Sequence, residues 1–198
     1  MVTWVYIDSC AWNRLHTLGV DLAAELPADR YQVAITQEVA IETELFRKSK
    51  PESDVLPYID NALEAAQVKT SSWFGFAMHE PDGTVSPYQP YGGFDVGTWV
   101  SENESAWLSQ ATVLAMLSKS QNKKGPLGAN QADASQGARA FDAVILTDER
   151  RVRKNGKGPL QLAAEQGGHV VFLNEVEASG LGLDAFISGG RTFSTRAP

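Results

Sequence analysis

Cysteine and positive charge are scarce in this chain, and long apolar runs are missing. Cys10 is the one cysteine among 198 residues, which excludes an internal disulfide and makes the reducing cytoplasm the expected location. No apolar run is long enough to span a membrane, and the first residues lack the basic and apolar regions of a signal peptide. With 17 Lys and Arg against 24 Asp and Glu, the net charge is −7. This balance disfavours a broad nucleic-acid surface but agrees with acidic residues gathered around a metal ion.

Two apolar runs that end in acidic residues predict the core of an α/β fold. Thr3–Ile7 has the composition of a strand buried on both faces and is followed by Asp8 and Ser9. Residues 143–147 repeat this layout and are followed by Asp148 and Glu149. We expect the two strands to be neighbours in one parallel sheet, whose ligands bind at the carboxyl ends of the strands. A strand-end Asp is also a common turn or N-cap residue, and that alternative stays open.

The helix after the second predicted strand carries two acids on its apolar side. Residues 31–35 alternate like a strand, Thr36 follows as an N-cap, and a helix is predicted from Gln37 to about Arg47. At 100° per residue, Glu38 and Glu42 fall within the face formed by the apolar residues. Two inward carboxylates are costly unless they are paired or bound to a metal. The alternative is a tilted helix whose acids reach solvent.

Two further features accompany the second strand-end acid. Residues 130–141 predict a helix whose small residues allow close packing on a sheet, with Asp133 in its first turn. The helix dipole alone could explain an acid at that position. Directly after Glu149 comes the most basic run of the chain, with Arg150, Arg151, Arg153 and Lys154. This run is either a solvated loop or a contact for a phosphate backbone.

The remaining chain predicts a single domain over residues 1–198 with two additions. An aromatic-rich segment from about 68 to 102 is predicted as an inserted hairpin or loop, and a tail runs from about 174 to 198. The aromatic residues would pack on the body, form a partner surface or stack bases. Helices are expected at 51–66, 103–119 and 160–166, with a last parallel strand at 169–173.

Taken in order, four of these stretches resemble the PIN-domain nucleases, many of which are VapC-type toxins paired with an antitoxin. The stretches are Val5 to Trp12, Ile35-Thr36 leading to Glu42, Asp133 opening its helix of small residues, and Val144 to Asp148. The resemblance covers most of the chain apart from the aromatic segment and the tail. It implies a three-layer fold with a central parallel sheet flanked by helices. It also implies a metal-dependent endoribonuclease that hydrolyses phosphodiester bonds.

The resemblance assigns roles to particular residues. The catalytic and metal-binding acids would be Asp8, Glu42, Asp133 and Asp148, with Glu38 and Glu149 as outer or replacing acids, Ser9 and Thr147 orienting carboxylates or water, and Arg150, Arg151, Arg153 and Lys154 guiding the RNA backbone. A set of carboxylates without histidine or cysteine favours Mg²⁺ or Mn²⁺ over Zn²⁺. The expected partners are RNA, an antitoxin or inhibitor protein and a second copy in a homodimer, with no membrane.

Two readings from other classes compete with the nuclease. The first is a catalytically inactive PIN-like module that only binds RNA or protein, which an intact set of acids disfavours. The second is a flavodoxin-like or receiver-like protein in which Asp8 accepts a phosphoryl group or binds a metal. The helix acids Glu38 and Glu42 and the basic run fit that second reading poorly.

Overall fold

A five-stranded sheet, parallel throughout the described residues, forms the centre of the protein. The computed structural model describes residues 2–76, 79, 82–84, 86, 88–94, 96–117, 126–128, 130–151 and 156–189. The strands are β1 Thr3–Ile7, β2 Tyr31–Thr36, β3 Lys69–Ser71, β4 Val144–Thr147 and β5 Val170–Phe172. The helices are α1 Ala11–Thr17, α2 Leu22–Glu25, α3 Gln37–Ser49, α4 Val55–Ala65, α5 Glu102–Leu108, α6 Ala111–Leu117, α7 Gln131–Arg139, α8 Pro159–Glu165, α9 Leu173–Ser179 and α10 Leu183–Gly189.

The strand order is β3-β2-β1-β4-β5. Successive strands after β1 are added on one side of it up to β3 and on the other side from β4, so the strand order reverses between β1 and β4. Strand β1 pairs in parallel with β2 on one side and with β4 on the other. The register places Ile7 opposite Leu146, so the residues that follow the two strands are neighbours. The predicted parallel pairing of the two strands that end in acids is confirmed. Ligands of open α/β sheets bind where the strand order reverses, at the carboxyl ends of the strands.

Helices cover both faces of the sheet because alternate residues of the central strands point to opposite sides. Val5 and Ile7 join one buried cluster with residues of α1, α2, α4, α9 and α10. Tyr6 points the other way and joins a second cluster with residues of α5, α6, α7 and α8. The predicted α/β class with a helix-flanked parallel sheet is therefore confirmed. No helix among the described residues combines the length and the apolar character that a membrane span requires.

The region predicted as an insertion differs from the expectation at its start. Residues Lys69–Ser71 form β3 and pair with β2 at the edge of the main sheet. This strand is polar and is stabilised by its ladder of backbone hydrogen bonds rather than by an apolar pattern. Beyond it, the described residues show two isolated parallel bridges, Trp73 with Thr98 and Phe74 with Gly92, instead of a regular hairpin.

The aromatic residues of this segment divide between the interior and the surface. Trp73 is buried in the cluster on the α7 side of the sheet. Phe74 is the centre of an exposed group, with ring centroids 4.8 Å from Phe94 and 4.7 Å from Trp99. The exposed fractions of Phe76, Phe94 and Trp99 lie between 78% and 85%. The segment thus buries the ring of Trp73, leaves Phe74 and Tyr88 partly buried and exposes its other described rings.

Two helix predictions also need correction. The single helix expected at 103–119 is two helices, α5 and α6, which are separated at Ser109 and Gln110. Helix α4 begins at Val55 rather than at residue 51, which puts Pro57 in its first turn. Proline is tolerated there because the backbone N–H groups of the first turn have no intrahelical acceptor. Pro57 therefore removes no hydrogen bond from α4.

Candidate functional site

Asp8 lies at the reversal point of the sheet, directly after β1, and is only 2% exposed. Thr147 Oγ1 and Cys10 Sγ donate to its Oδ2 over 2.7 and 2.9 Å, and Gln136 Nε2 donates to its Oδ1 over 3.2 Å. These donors come from β4, the β1–α1 turn and α7. Among the described residues, no Lys or Arg forms an ion pair with Asp8. The carboxylate is thus oriented by neutral groups, and its charge is not neutralised by a nearby cation.

The Cys10 thiol is a hydrogen-bond donor in this site. Burial raises its pKa far above the ordinary value, and the charge of Asp8 and the hydrogen bond to Asp8 raise the pKa further. The thiol therefore stays protonated at neutral pH. Since the thiolate is the reactive form of cysteine, Cys10 is not a nucleophile here.

Two acids of α3 face the same region. Glu38 is 3% exposed and Glu42 is partly buried. Burial raises the pKa of Glu42, and the negative charges of Asp8 and Glu38 raise it further, while the Ser9 hydroxyl lowers it by hydrogen bonding. Asp8 and Glu38 therefore each lie close enough to Glu42 to repel its carboxylate. The inward placement of both helix acids agrees with their position on the apolar face of α3.

The pKa of Glu38 is also raised, mainly by burial. Its own backbone N–H, the Thr36 hydroxyl and the positive charge of Arg139 oppose this effect. Ser135 lies close enough to lower the pKa of Glu38 slightly, but its hydroxyl makes no hydrogen bond of ordinary geometry among the described residues. Arg139 thus offsets part of the charge of Glu38, whereas no cation among the described residues does so for Glu42.

The other predicted acids lie outside this trio. Asp133 occupies the first turn of α7, and Asp148 is exposed after β4. Glu149 accepts a hydrogen bond from Gln161 Nε2 over 2.8 Å. Over the described part of the chain, no three His, Cys, Asp or Glu side chains gather closely enough to hold a metal ion together. The structure brings Asp8 and Glu38 into electrostatic contact with Glu42 and does not assemble the expected four acids around one point.

Gln136 and Arg139 are site residues that the sequence pattern did not single out. Gln136 is fully buried, and its Oε1 lacks a donor among the described residues. It lies three residues after Asp133, so the i, i+3 spacing of a helix face could have suggested it. Arg139 stacks its guanidinium over Trp73 at 4.7 Å and over Tyr6 at 5.1 Å. The burial of Arg139 could not be predicted from sequence, because the rings that it contacts are distant from it along the chain.

The basic run after β4 is partly engaged within the protein. Arg151 forms a bidentate pair with Glu175, with distances of 2.8 and 3.0 Å, and its guanidinium lies 4.6 Å from the centre of the Phe172 ring. Arg150 is exposed. Arg153 and Lys154, which were also predicted to guide RNA, lie outside the described residues. Arg151, one of the residues predicted to contact the RNA backbone, is therefore held by an ion pair with Glu175 of α9.

The donor set around Asp8 and Glu42 fits a hard divalent cation. Mg²⁺ commonly binds one or two carboxylates and keeps several waters for contact with substrate phosphates. Asp8 and Glu42 supply two carboxylates that repel each other, and Gln136 Oε1 supplies a buried acceptor without a donor. A bound cation would relieve the repulsion, and a water held beside it could donate to the amide oxygen. Comparison with protein-family models, curated proteins and solved structures gives no match to this chain.

Proposed function

We propose that this protein is a PIN-like, metal-dependent nuclease that hydrolyses phosphodiester bonds in RNA, as an endoribonuclease. The observation that carries the proposal is the pair Asp8 and Glu42: two carboxylates that lack cation partners among the described residues, lying where the order of the sheet reverses. Repelling carboxylates that are not neutralised destabilise the folded protein, so their retention at a ligand-binding edge points to a cation. The proposed metal is Mg²⁺ or Mn²⁺, since both prefer oxygen ligands.

In this proposal the metal supplies Lewis-acid polarisation of the phosphate and a bound water of lowered pKa. Asp8 would hold it in an orientation set by Thr147, Cys10 and Gln136. Glu42 would be the second ligand, oriented by the Ser9 hydroxyl, and Glu38 would add negative charge from the outer side. Asp133, Asp148 and Glu149 remain candidates for contact through water.

The proposed partners follow from the same resemblance. RNA is the substrate, and Arg150, Arg153 and Lys154 are the cations of the basic run proposed to contact its backbone. An antitoxin or inhibitor protein would control a nuclease of the toxin type, and a homodimer is the proposed assembly. These proposals rest on the order of the four stretches and on the site at the end of β1.

A cleavage assay with matched variants tests the activity. A 5′-labelled RNA and the DNA of the same sequence are incubated with Mg²⁺, with Mn²⁺ and with EDTA. We expect cleavage of RNA in either metal and none in EDTA. Glu42→Gln should abolish cleavage, whereas Glu44→Gln should retain it, because Glu44 is exposed on the same helix and pairs with Arg47. Cleavage in EDTA, or full activity of Glu42→Gln, would contradict the proposal.

A catalytically inactive binding module is the second candidate, and one observation favours it. Asp8 already accepts three hydrogen bonds from side chains, so its role could be to join β1, β4 and α7. Titration with Mn²⁺, followed by the relaxation of water protons, separates the candidates. A nuclease site would bind the cation and lose it in Asp8→Asn, whereas a purely structural Asp8 would show no binding in either protein.

A further inference from the structure

A pocket opens beside Glu42, between α1, α3 and α4. Its volume is about 190 Å³. Ser9 and Glu42 line the side near the acid trio, and Trp12, Phe46, Val55 and Ile59 line the apolar remainder. The pocket is therefore continuous with the proposed metal site through Glu42 and Ser9. Because most of its lining is apolar, the pocket is not a second part of the acidic metal site.

The size and charge of the pocket restrict what it can bind. An engineered cavity of about 150 Å³ takes up benzene, so this pocket has room for one planar ring. Among the described residues, no Lys or Arg lines it, and the charged group at its edge is the carboxylate of Glu42. In the absence of a bound cation, a phosphate would be repelled there. The occupant that fits is a neutral, flat group with an apolar face.

Trp12 adds a requirement for a hydrogen-bond acceptor. Its side chain lines the pocket and is 2% exposed, yet its indole N–H has no acceptor among the described residues. Buried indole N–H groups usually find a partner, and an unsatisfied donor is costly. A ligand that carries a carbonyl or ring-nitrogen acceptor at its edge would satisfy it.

Resting on the proposed nuclease function, we propose that this pocket binds one unpaired nucleobase of the RNA beside the phosphodiester that is cleaved. A nucleobase combines a flat apolar face, which fits Phe46 and the apolar lining, with acceptor atoms at its edge for the Trp12 N–H. Its ribose phosphate would then lie on the side of Glu42 and Asp8. The pocket can bind a base only when that base is neither paired with another base nor stacked on its neighbours. It therefore selects single-stranded segments of RNA as the substrate.

Binding of nucleosides without metal tests the pocket separately from cleavage. Uridine, cytidine, adenosine and guanosine are titrated by calorimetry in EDTA into the full-length protein. We expect at least one to bind, and Trp12→Phe to weaken it about tenfold through loss of the N–H donor. Trp107→Phe is the matched control, since Trp107 is equally buried with an unpartnered N–H but packs on the opposite face of the sheet. Thermal unfolding verifies that both variants are folded.

A second variant and a modified RNA complete the test. Val55→Phe places a ring in the pocket and should abolish nucleoside binding without removing any polar group. An RNA with one abasic residue beside the preferred cleavage position should be cut there at least tenfold more slowly. Trp12-dependent nucleoside binding by a protein that cleaves no RNA would support the pocket and overturn the nuclease. Undiminished cleavage beside the abasic residue would overturn the pocket and leave the nuclease standing.

Two binding results would also overturn the inference. The first is equal nucleoside affinity in the Trp12→Phe and Trp107→Phe proteins, or no affinity in the wild type. The second is Trp12-dependent binding of N-acetyl-phenylalaninamide without binding of any nucleoside. That second result would assign the pocket to a side chain of a protein partner.

Discussion

Replacing Asp8 with Asn should stabilise the metal-free protein near neutral pH. Two unit charges about 4 Å apart repel each other by about 1 kcal/mol in water and by about 4 kcal/mol at an effective dielectric of 20, and the change removes a repulsion within this range from Glu42. The substitution also has two opposing effects on the stability of the folded protein. Removing a buried charge stabilises it by about 3 kcal/mol, and weakening three charge-assisted hydrogen bonds destabilises it by about 3 kcal/mol, so the two cancel. Partial exposure of Glu42 reduces the remainder to about 1–2 kcal/mol. For a chain of this length, the melting temperature should rise by about 3–6 °C.

The pH dependence of this gain follows from Glu42. Its folded-state pKa lies above the ordinary value of 4.5 through burial and then through Asp8, so the folded protein loses stability as Glu42 ionises with rising pH. Asp8→Asn removes part of that loss. The difference between the two proteins should therefore be full at pH 8 and should vanish below about pH 4, where Glu42 is protonated in both the folded and the unfolded state.

Metal binding gives the same variant a second signature. At a Mg²⁺ concentration ten times the dissociation constant, binding adds about 1.4 kcal/mol to the stability of the wild type. This increment should be absent in Asp8→Asn, while Glu44→Gln, an exposed control on α3, should behave as the wild type does. The assay is differential scanning fluorimetry in EDTA and in Mg²⁺ at both pH values. A lower melting temperature for Asp8→Asn at pH 8, or equal stabilisation of both proteins by Mg²⁺, would refute the reasoning.

Three further predictions concern the supports of the site. Thr147→Val keeps the shape of the side chain but removes a charge-assisted hydrogen bond, and should lower the free energy of unfolding by about 2 kcal/mol in urea denaturation. Gly137→Ala should cost about 1 kcal/mol net, because a Cβ there would lie 2.7 Å from the ring of Trp107 and overpacking outweighs the gain in helix propensity; unchanged stability would contradict this packing. Glu175→Gln should release Arg151 and steepen the salt dependence of RNA binding by about 0.7 in logarithmic slope, as measured by fluorescence anisotropy.

The central strands could be predicted because burial on both faces leaves a direct mark on sequence. Strands β1 and β4 are continuous apolar runs, and each is followed by an acid at the edge where the chain turns. Strand β3 leaves no such mark: its residues, Lys69–Ser71, are held at the sheet edge by pairing with β2. The inward position of Glu38 and Glu42 could also be predicted from sequence, because the period of the apolar residues defines one face of the helix.

The contacts of α7 could not be predicted from sequence because they depend on the position of the helix along its axis relative to the sheet. The family resemblance pointed to Asp133, in the first turn, whereas the residue that touches Asp8 is Gln136. One turn of helix separates the two on the same face, and composition does not decide which of them lies level with Asp8. The interactions of Arg151 were equally hidden, since its partner Glu175 belongs to α9, a helix that the sequence analysis did not predict.

The hydrogen bonds that orient Asp8 can form only after Gln136 and Thr147 have been synthesised. They join positions that are 128 and 139 residues apart in the chain. At roughly 5–20 residues per second, Thr147 is added about 7–28 s after Asp8. A ribosome-bound or truncated chain thus carries the acid but not the residues that hold it. In the proposed nuclease, the site would therefore stay unformed until β4 has been synthesised, which would spare the messenger and the ribosome that produce it.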